Sequence, residues 1–472
     1  MIALQIGRLW GLGVLCLSGG QVESLFDLGL PACVAELPAD LAAVDAVLAG
    51  PGVLTAIEAS WPEGAVSFGR PTVPMDRFVR LMVVKARSGW GYETLVREVS
   101  DSLHLRRFCR FGLWDRVPDE STVRKLVRRL GAEVIEAICA QVIAAATSPR
   151  AGARRFVVRA ARIDSTVVEA NIRYPTDLGL AQDAARSLAR EANRARGLAG
   201  VAGPRVRDRS RAIAGRLLRV NRSVAARTGQ SRELALRLTG EAGELLAVSI
   251  REARRLAGVL ERRARGRGAR AKQAAAARLR RLCELAEKVC AQIELRLAGK
   301  PIRDRLVSIA DPDARPIRKG KLNKPTEFGS VMQLTELCQN TRRGARGLIL
   351  PVSTGIGSLN EAQLLPATGQ RLRDLGLRPR EIALDGGFQP GPVREHLPAP
   401  ERLFISGHHA PHARKTNRRL AKFRVGAEGR ISHLKRRYGL DRSRLKGHAG
   451  ARTWAAWSIL AYNLDTLALR AA

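Results

Sequence analysis

The chain predicts an α/β fold, with a mixed sheet and packed helices, interrupted by a helical insertion and preceded by an all-α N-terminal domain. Three observations carry that prediction. Residues 21–150 show helical periodicity with little strand character. The stretch Phe156 to Val168, FVVRAARIDSTVV, then turns to small and β-branched residues that suit a central strand. Between it and a later set of short strands lies a long Arg- and Ala-rich helical region from Ala181 to Leu297. The expected organisation is a helical DNA-binding domain at 1–150, an α/β domain at 151–472 and a basic helical insertion at 181–300 within it.

The charge balance narrows the partner. Among 472 residues, 81 Lys and Arg stand against 44 Asp and Glu, a formal net charge of +37. Such an excess repels itself unless a polyanion is bound, and nucleic acid is the polyanion it fits. No apolar run in the sequence reads as long enough to span a bilayer, so no membrane partner is expected. The apolar patch LWGLGVLCLSGG near the N-terminus has only Arg8 ahead of it and no clear cleavage site, which argues against secretion. Seven cysteines are dispersed without a C-x-x-C pair, as expected of reduced thiols in a cytoplasm.

In chain order, helices are predicted at Leu41 to Ala59, Met75 to Ser88, Tyr92 to Ser100 and Ser121 to Gly131. Asp119 or Ser121 caps the last of these. Its buried stripe is Val123, Leu126, Val127 and Leu130, which leaves Thr122, Lys125, Arg128 and Arg129 facing out. With LHLRRFCRFGLWDR just before it, this reads either as a helix-turn-helix-like DNA contact through Lys125, Arg128 and Arg129 or as a bundle with a solvated basic face. In the insertion, two apolar stripes (Ile250 to Leu260 and Leu279 to Leu297) predict a helical hairpin turned at Arg265 to Arg270. Its outer face either meets phosphates or is simply solvated.

Strands are then predicted at Arg305 to Ala310, Arg315 to Lys321, Glu327 to Leu337 and Gly347 to Ser353. A helix follows at Asn360 to Leu375, and a short buried strand at Glu381 to Leu384 ends in Asp385-Gly386-Gly387. Ligand sites in α/β sheets favour the carboxyl ends of strands, where Asp385 falls. Asn417 to Leu440 reads as a basic helix whose one acid is Glu428, with Arg424 one turn before it and Lys435 two turns after. Ala451 to Arg470 is a Trp-rich apolar helix.

Asp164, Asp385 and Glu428 are thus isolated acids in positions that a sheet and one helix can bring together. Clustered carboxylates repel unless a divalent cation joins them, and hard oxygen ligands suit Mg²⁺. Two such ions serve phosphodiester displacement. Asp313 reads as a turn residue and Glu327 as a supporting group. His408, His409 and His412 read as exposed or DNA-facing rather than as a metal site.

Several segments together resemble the bacterial insertion-sequence DDE transposases. They are RIDSTVVEANIRYPTD, DPDARPIRKGKLNKPTEFG, IALDGGF, FRVGAEGRISHLKRRYGL and the helical RFVRLMVVKARSGWGYETLVREVSDS, in the family's order across most of residues 70–465. The resemblance implies a ribonuclease-H-like catalytic core and dependence on Mg²⁺, with Mn²⁺ as a substitute. It also implies terminal inverted repeats and target DNA as partners, a homodimer on synapsed ends and a place on the bacterial nucleoid. By matched motif, Asp164, Asp385 and Glu428 are its catalytic, metal-binding acids. Arg424 and Lys435 match the Arg and Lys of its Y-x2-R-x3-E-x6-K pattern. Ala421 stands where that pattern has Tyr, and Phe388 where an aromatic follows DGG. A DNA-binding repressor derived from such a protein, and a nuclease on the same core, remain the alternatives.

Overall fold

The computed structural model describes residues 14–19, 29–50, 52–61, 71–199, 205–224, 228–266, 268–318, 326–342, 344–357 and 359–471. The chain divides into two compact units, Met1–Glu169 with Ser330–Ala472, and Ala170–Gly329. Half of the apolar patch near the N-terminus and the segment 319–325 lie outside the described residues.

The first unit begins with helices α1 (Ala32–Ala35), α2 (Ala39–Leu48), α3 (Gly52–Ala59), α4 (Met75–Ser88), α5 (Tyr92–Asp101), α6 (Leu103–Phe108) and α7 (Glu120–Thr147). The single helix expected over Leu41 to Ala59 is two, α2 and α3, because Ala49, Gly50 and Pro51 interrupt the periodicity. Helix α4 has the expected bounds: Pro74 precedes it and Gly89, in the left-handed region at φ 73°, ends it. Asp119 caps α7 by accepting from the Thr122 amide at 3.0 Å. Two hydroxyls and that amide hold the Asp119 carboxyl at about 2.

The predicted stop at Gly131 is a break rather than an end. Gly131 sits at φ 70°, and the helix resumes to Thr147 because Ile135, Ile138 and Val142 continue a buried stripe. By length and composition this whole helix is apolar enough to cross a membrane, contrary to the sequence expectation. Its apolar face is instead packed against α3 and α15 (Gly447–Ala471) within the core of the first unit.

That core also covers strands of a mixed sheet built from β1 (Ala160–Ala170), β2 (Arg315–Arg318), β3 (Thr326–Cys338), β4 (Leu348–Ile349), β5 (Ser353–Thr354), β6 (Glu381–Leu384), β7 (Arg402–Ile405) and β8 (Arg442–Ser443), of which β2 and the first residues of β3 belong to the second unit. The strand order is β2-β3-β1-β6-β7, with β4 and β5 on β3 and β8 on β1. β1, β6 and β7 run parallel, and β2, β4 and β5 are antiparallel to β3. The strand expected over Gly347 to Ser353 is two separate two-residue pairings, β4 and β5. Helices α12 (Leu365–Asp374), α13 (Pro390–His396) and α14 (Arg414–Arg437) complete this unit, and a 3₁₀ turn at Ala362–Leu364 starts the helix expected from Asn360.

The second unit holds four helices where a hairpin was expected: α8 (Asp177–Ala199), α9 (Ser210–Val224), α10 (Gly229–Arg262) and α11 (Ala269–Leu297). The expected hairpin is α10 with α11. Of the two additional helices, α8 packs through small residues, with Ala181, Ala185, Leu188 and Ala192 buried beside Leu246, Leu256 and Leu279, and α9 packs through Ile213, Leu217 and Val220. Thr228 and Ser231 form a reciprocal capping box at the start of α10. Residues Arg305 to Ala310 are not a strand. The Gln292 side chain instead clasps Leu306, accepting from its amide at 2.5 Å and donating to its carbonyl at 3.3 Å.

One buried ionic cluster ties β1, β3 and α14 together. Arg162 on β1 and Glu336 on β3 are each 3% exposed. The Arg162 Nε donates to Glu336 Oε2 at 2.7 Å, while Arg430 Nε and the Gly347 amide both donate to Oε1 at 2.8 Å. Arg162 also donates to the carbonyls of Phe423 and Ala345, at 3.0 Å each. Its guanidinium fills the space beside Gly426, where a Cβ would stand 1.9 Å from Nη1. Removing one partner of such a buried network leaves uncompensated charge, at roughly 3–5 kcal/mol. Glu336→Gln therefore lowers the unfolding free energy by about that much in urea titration. A loss under about 1 kcal/mol would mean that the cluster is not desolvated.

Candidate active site

The site is assembled by strand register. β1 and β6 are parallel neighbours paired through Ile163 and Leu384, so the next residue on each is an acid, Asp164 and Asp385. Asp385 follows the carboxyl end of β6, and Asp164 stands mid-strand in β1 at the point where its pairing with β6 stops. After Asp385 the chain turns through two glycines. A Cβ at Gly386 would sit 3.0 Å from the Ser406 carbonyl, so a glycine there lets the turn pass close to that backbone. Phe388 is fully buried and anchors this turn in the core.

Helix α14 brings the third acid. Arg424 donates to Asp385 Oδ1 at 2.9 Å and to Glu428 Oε1 at 3.3 Å, so one guanidinium bridges the strand acid and the helix acid. Arg424 is 14% exposed, whereas Asp385 is 46% and Glu428 63% exposed. Asp164 is the most enclosed of the three. Burial raises its carboxyl above the ordinary range, as do the Asp385 and Glu428 charges; the Ser165 amide, donating at 2.7 Å, and Arg424 oppose the shift.

Among the described residues, no three His, Cys, Asp or Glu side chains are grouped closely enough to hold one metal ion. In this arrangement the Arg424 guanidinium stands between Asp385 and Glu428. The three acids offer hard carboxylate oxygens of the kind Mg²⁺ and Mn²⁺ take.

The remaining residues singled out from the sequence fall in different places. Lys435 lies on α14 and donates to the Val167 carbonyl at 2.9 Å, a tie between that helix and β1. Lys125, Arg128 and Arg129 are exposed on α7, opposite the buried Val123, Leu126, Val127 and Leu130. His412 bonds the Leu403 carbonyl at 3.2 Å. Sequence reasoning missed Arg162, Glu336, Arg430 and Gly426, which set the distance between β1 and α14. The one signal was a charge inside each of two otherwise largely apolar strand patterns, Arg162 and Glu336.

The raised Asp164 carboxyl makes a pH-dependent statement about stability. The folded chain binds that proton more tightly than the unfolded chain, so ionisation of Asp164 weakens the fold above its raised value. Below the ordinary carboxylate range, near pH 4, the group is protonated in both states and has no effect. Asp164→Asn is therefore expected to raise the melting midpoint of the metal-free protein at about pH 7, with the gain shrinking as pH falls toward about 4. Equal or lower melting of the variant at neutral pH would show that the carboxylate is not held against like charge.

No match was found among curated proteins or solved structures. Residues 37–129, which run from just before α2 into α7 and include Lys125, Arg128 and Arg129, match a family model described as Transposase domain (DUF772). That likeness supports a transposase-related function for the chain.

Proposed function

We propose that the chain is an insertion-sequence DDE transposase with a ribonuclease-H-like core. It binds the terminal inverted repeats of its element and catalyses DNA cleavage and strand transfer. The observation that carries this reading is the β1–β6 register, which makes Asp164 and Asp385 neighbours, with Glu428 joined to Asp385 through Arg424. The likeness of residues 37–129 to a transposase domain supports it from a separate part of the chain.

Each residue has a role under this proposal. Asp164, Asp385 and Glu428 hold Mg²⁺, or Mn²⁺ in its place; the ion supplies charge neutralisation and Lewis-acid activation to phosphodiester displacement. Arg424, freed from its two carboxylates, presents a planar fork to a phosphate oxygen of the DNA end. Lys435 keeps α14 docked on β1, so that Glu428 stays level with the strand acids. Lys125, Arg128 and Arg129 meet the DNA backbone from α7, and the basic helices of the second unit add sequence-independent affinity. The protein works on the bacterial nucleoid, in the cytoplasm, as a homodimer that holds two element ends together.

The test is cleavage and joining of a fragment carrying the element's end. Glu428→Gln keeps the side chain's size and removes its charge, so cleavage should fall by more than about a hundredfold, as loss of a direct ligand exceeds loss of an outer-shell partner. End binding rests on Arg and Lys and should persist, weakening steeply with salt in both proteins. Full activity of Glu428→Gln, or wild-type cutting undiminished by chelator, would sink the proposal. Tight end binding with no cutting under any condition would favour the repressor, and cutting without joining the nuclease.

A further inference from the structure

A second site lies within the first unit, among residues given no part in the chemistry above. A cavity of about 270 Å³ is lined by Lys85 of α4, Tyr92 of α5, Trp454 and Trp457 of α15, and Arg442 and Arg444 of the segment leading into α15. Lys85 is 6% exposed, and its ammonium stands over two aromatic faces, 4.8 Å from the Tyr92 ring centre and 4.7 Å from that of Trp454. Among the described residues no carboxylate pairs with it, and the charge acting on it is another cation, Arg444. Burial, reinforced by Arg444, lowers the Lys85 ammonium to about 8.

A second donor in the same cavity is also unsatisfied. Trp457 is 4% exposed, and its indole N–H is buried with no acceptor. The neighbouring Trp454 donates to the Gly439 carbonyl at 2.7 Å, so its own N–H is already used. Arg442 is paired with Glu169 at 3.1 Å, whereas Arg444 is exposed and has no ion pair among the described residues. The cavity therefore gathers unmatched donors and an excess of positive charge, with two open cations, Lys85 and Arg444, against one lining carboxylate, Asp441. Burying an unpaired ammonium or N–H is unfavourable unless something accepts from it.

We propose that this cavity binds a phosphate monoester, its oxygens taken by Lys85, Arg444 and the Trp457 N–H, with the rest of the ligand leaving past Arg444. A dianion answers two cations at once, and its several acceptor oxygens match the open donors. Two sources share this chemistry, a free nucleoside monophosphate and the 5′-phosphate of a DNA strand. The site is separate from the three acids, so it stands whether or not the chain cuts DNA.

The experiment is titration calorimetry and thermal melting of the full-length protein. The probes are inorganic phosphate, adenosine monophosphate, adenosine, and a short single-stranded oligonucleotide with and without a 5′-phosphate. Saturable binding and a raised midpoint are expected with phosphate-bearing probes and not with adenosine. A free-nucleotide source predicts that adenosine monophosphate outdoes the phosphorylated oligonucleotide; a DNA-end source predicts the reverse, with a loss of about tenfold or more when the 5′-phosphate is removed. Arg444→Gln, at an exposed position, should fold normally and weaken phosphate binding about tenfold, and Lys85→Met should abolish it. The same response in Arg444→Gln as in wild type, or no response to any phosphate at millimolar concentration, would overturn the proposal.

Discussion

The Arg162–Glu336–Arg430 cluster is the constraint on which the rest of the first unit depends. It joins the strand that carries Asp164, the strand beside it, and the helix that carries Arg424 and Glu428. Each nitrogen of Arg162 has an acceptor, among one carboxylate and two carbonyls. A buried guanidinium satisfied in this way tolerates little displacement, because each lost bond leaves charge in a poorly polarisable interior. Gly426 belongs to the same constraint, since only a residue without a Cβ lets α14 come down onto Arg162. The height of Glu428 over the sheet is thus set by an ion pair outside the acid group itself.

Arg424 shows how three acids can be folded near one another without a cation from solution. Its guanidinium spans Asp385 and Glu428 and partly offsets the field that both acids impose on Asp164. The chain thus carries its own positive charge to the two acids. Under the proposed function, an incoming cation would compete with that side chain for both carboxylates.

What was legible in the sequence was local. β6 and α4 fell at their predicted bounds because each is punctuated, β6 by Asp385-Gly386-Gly387 and α4 by Pro74 and Gly89. The three acids stood out because each was isolated among apolar or basic neighbours. Pairing was the illegible part. Nothing in a one-dimensional pattern sets Ile163 against Leu384, or links Arg162 to Glu336 across 174 residues. α8 was merged into one long stretch because its buried face is largely alanine, which announces an interface far more weakly than leucine does. Arg305 to Ala310 looked like a strand because its residues suit one, yet Gln292 supplies the bonds that a neighbouring strand would have made.

The order of the strands also constrains how the protein is made. β1 leaves the ribosome long before β3, β6 and α14, and the whole of Ala170–Gly329 is synthesised in the interval. At about 5–20 residues per second, β1 waits many seconds for the partners that will cover it. A β-branched segment left open for that long is a template for pairing with other nascent chains. Arg162 and Asp164 interrupt it with opposite charges that remain hydrated until Glu336 and Arg424 arrive. The residues that anchor the sheet and line its acidic edge are thus also charges of the kind that discourage such pairing.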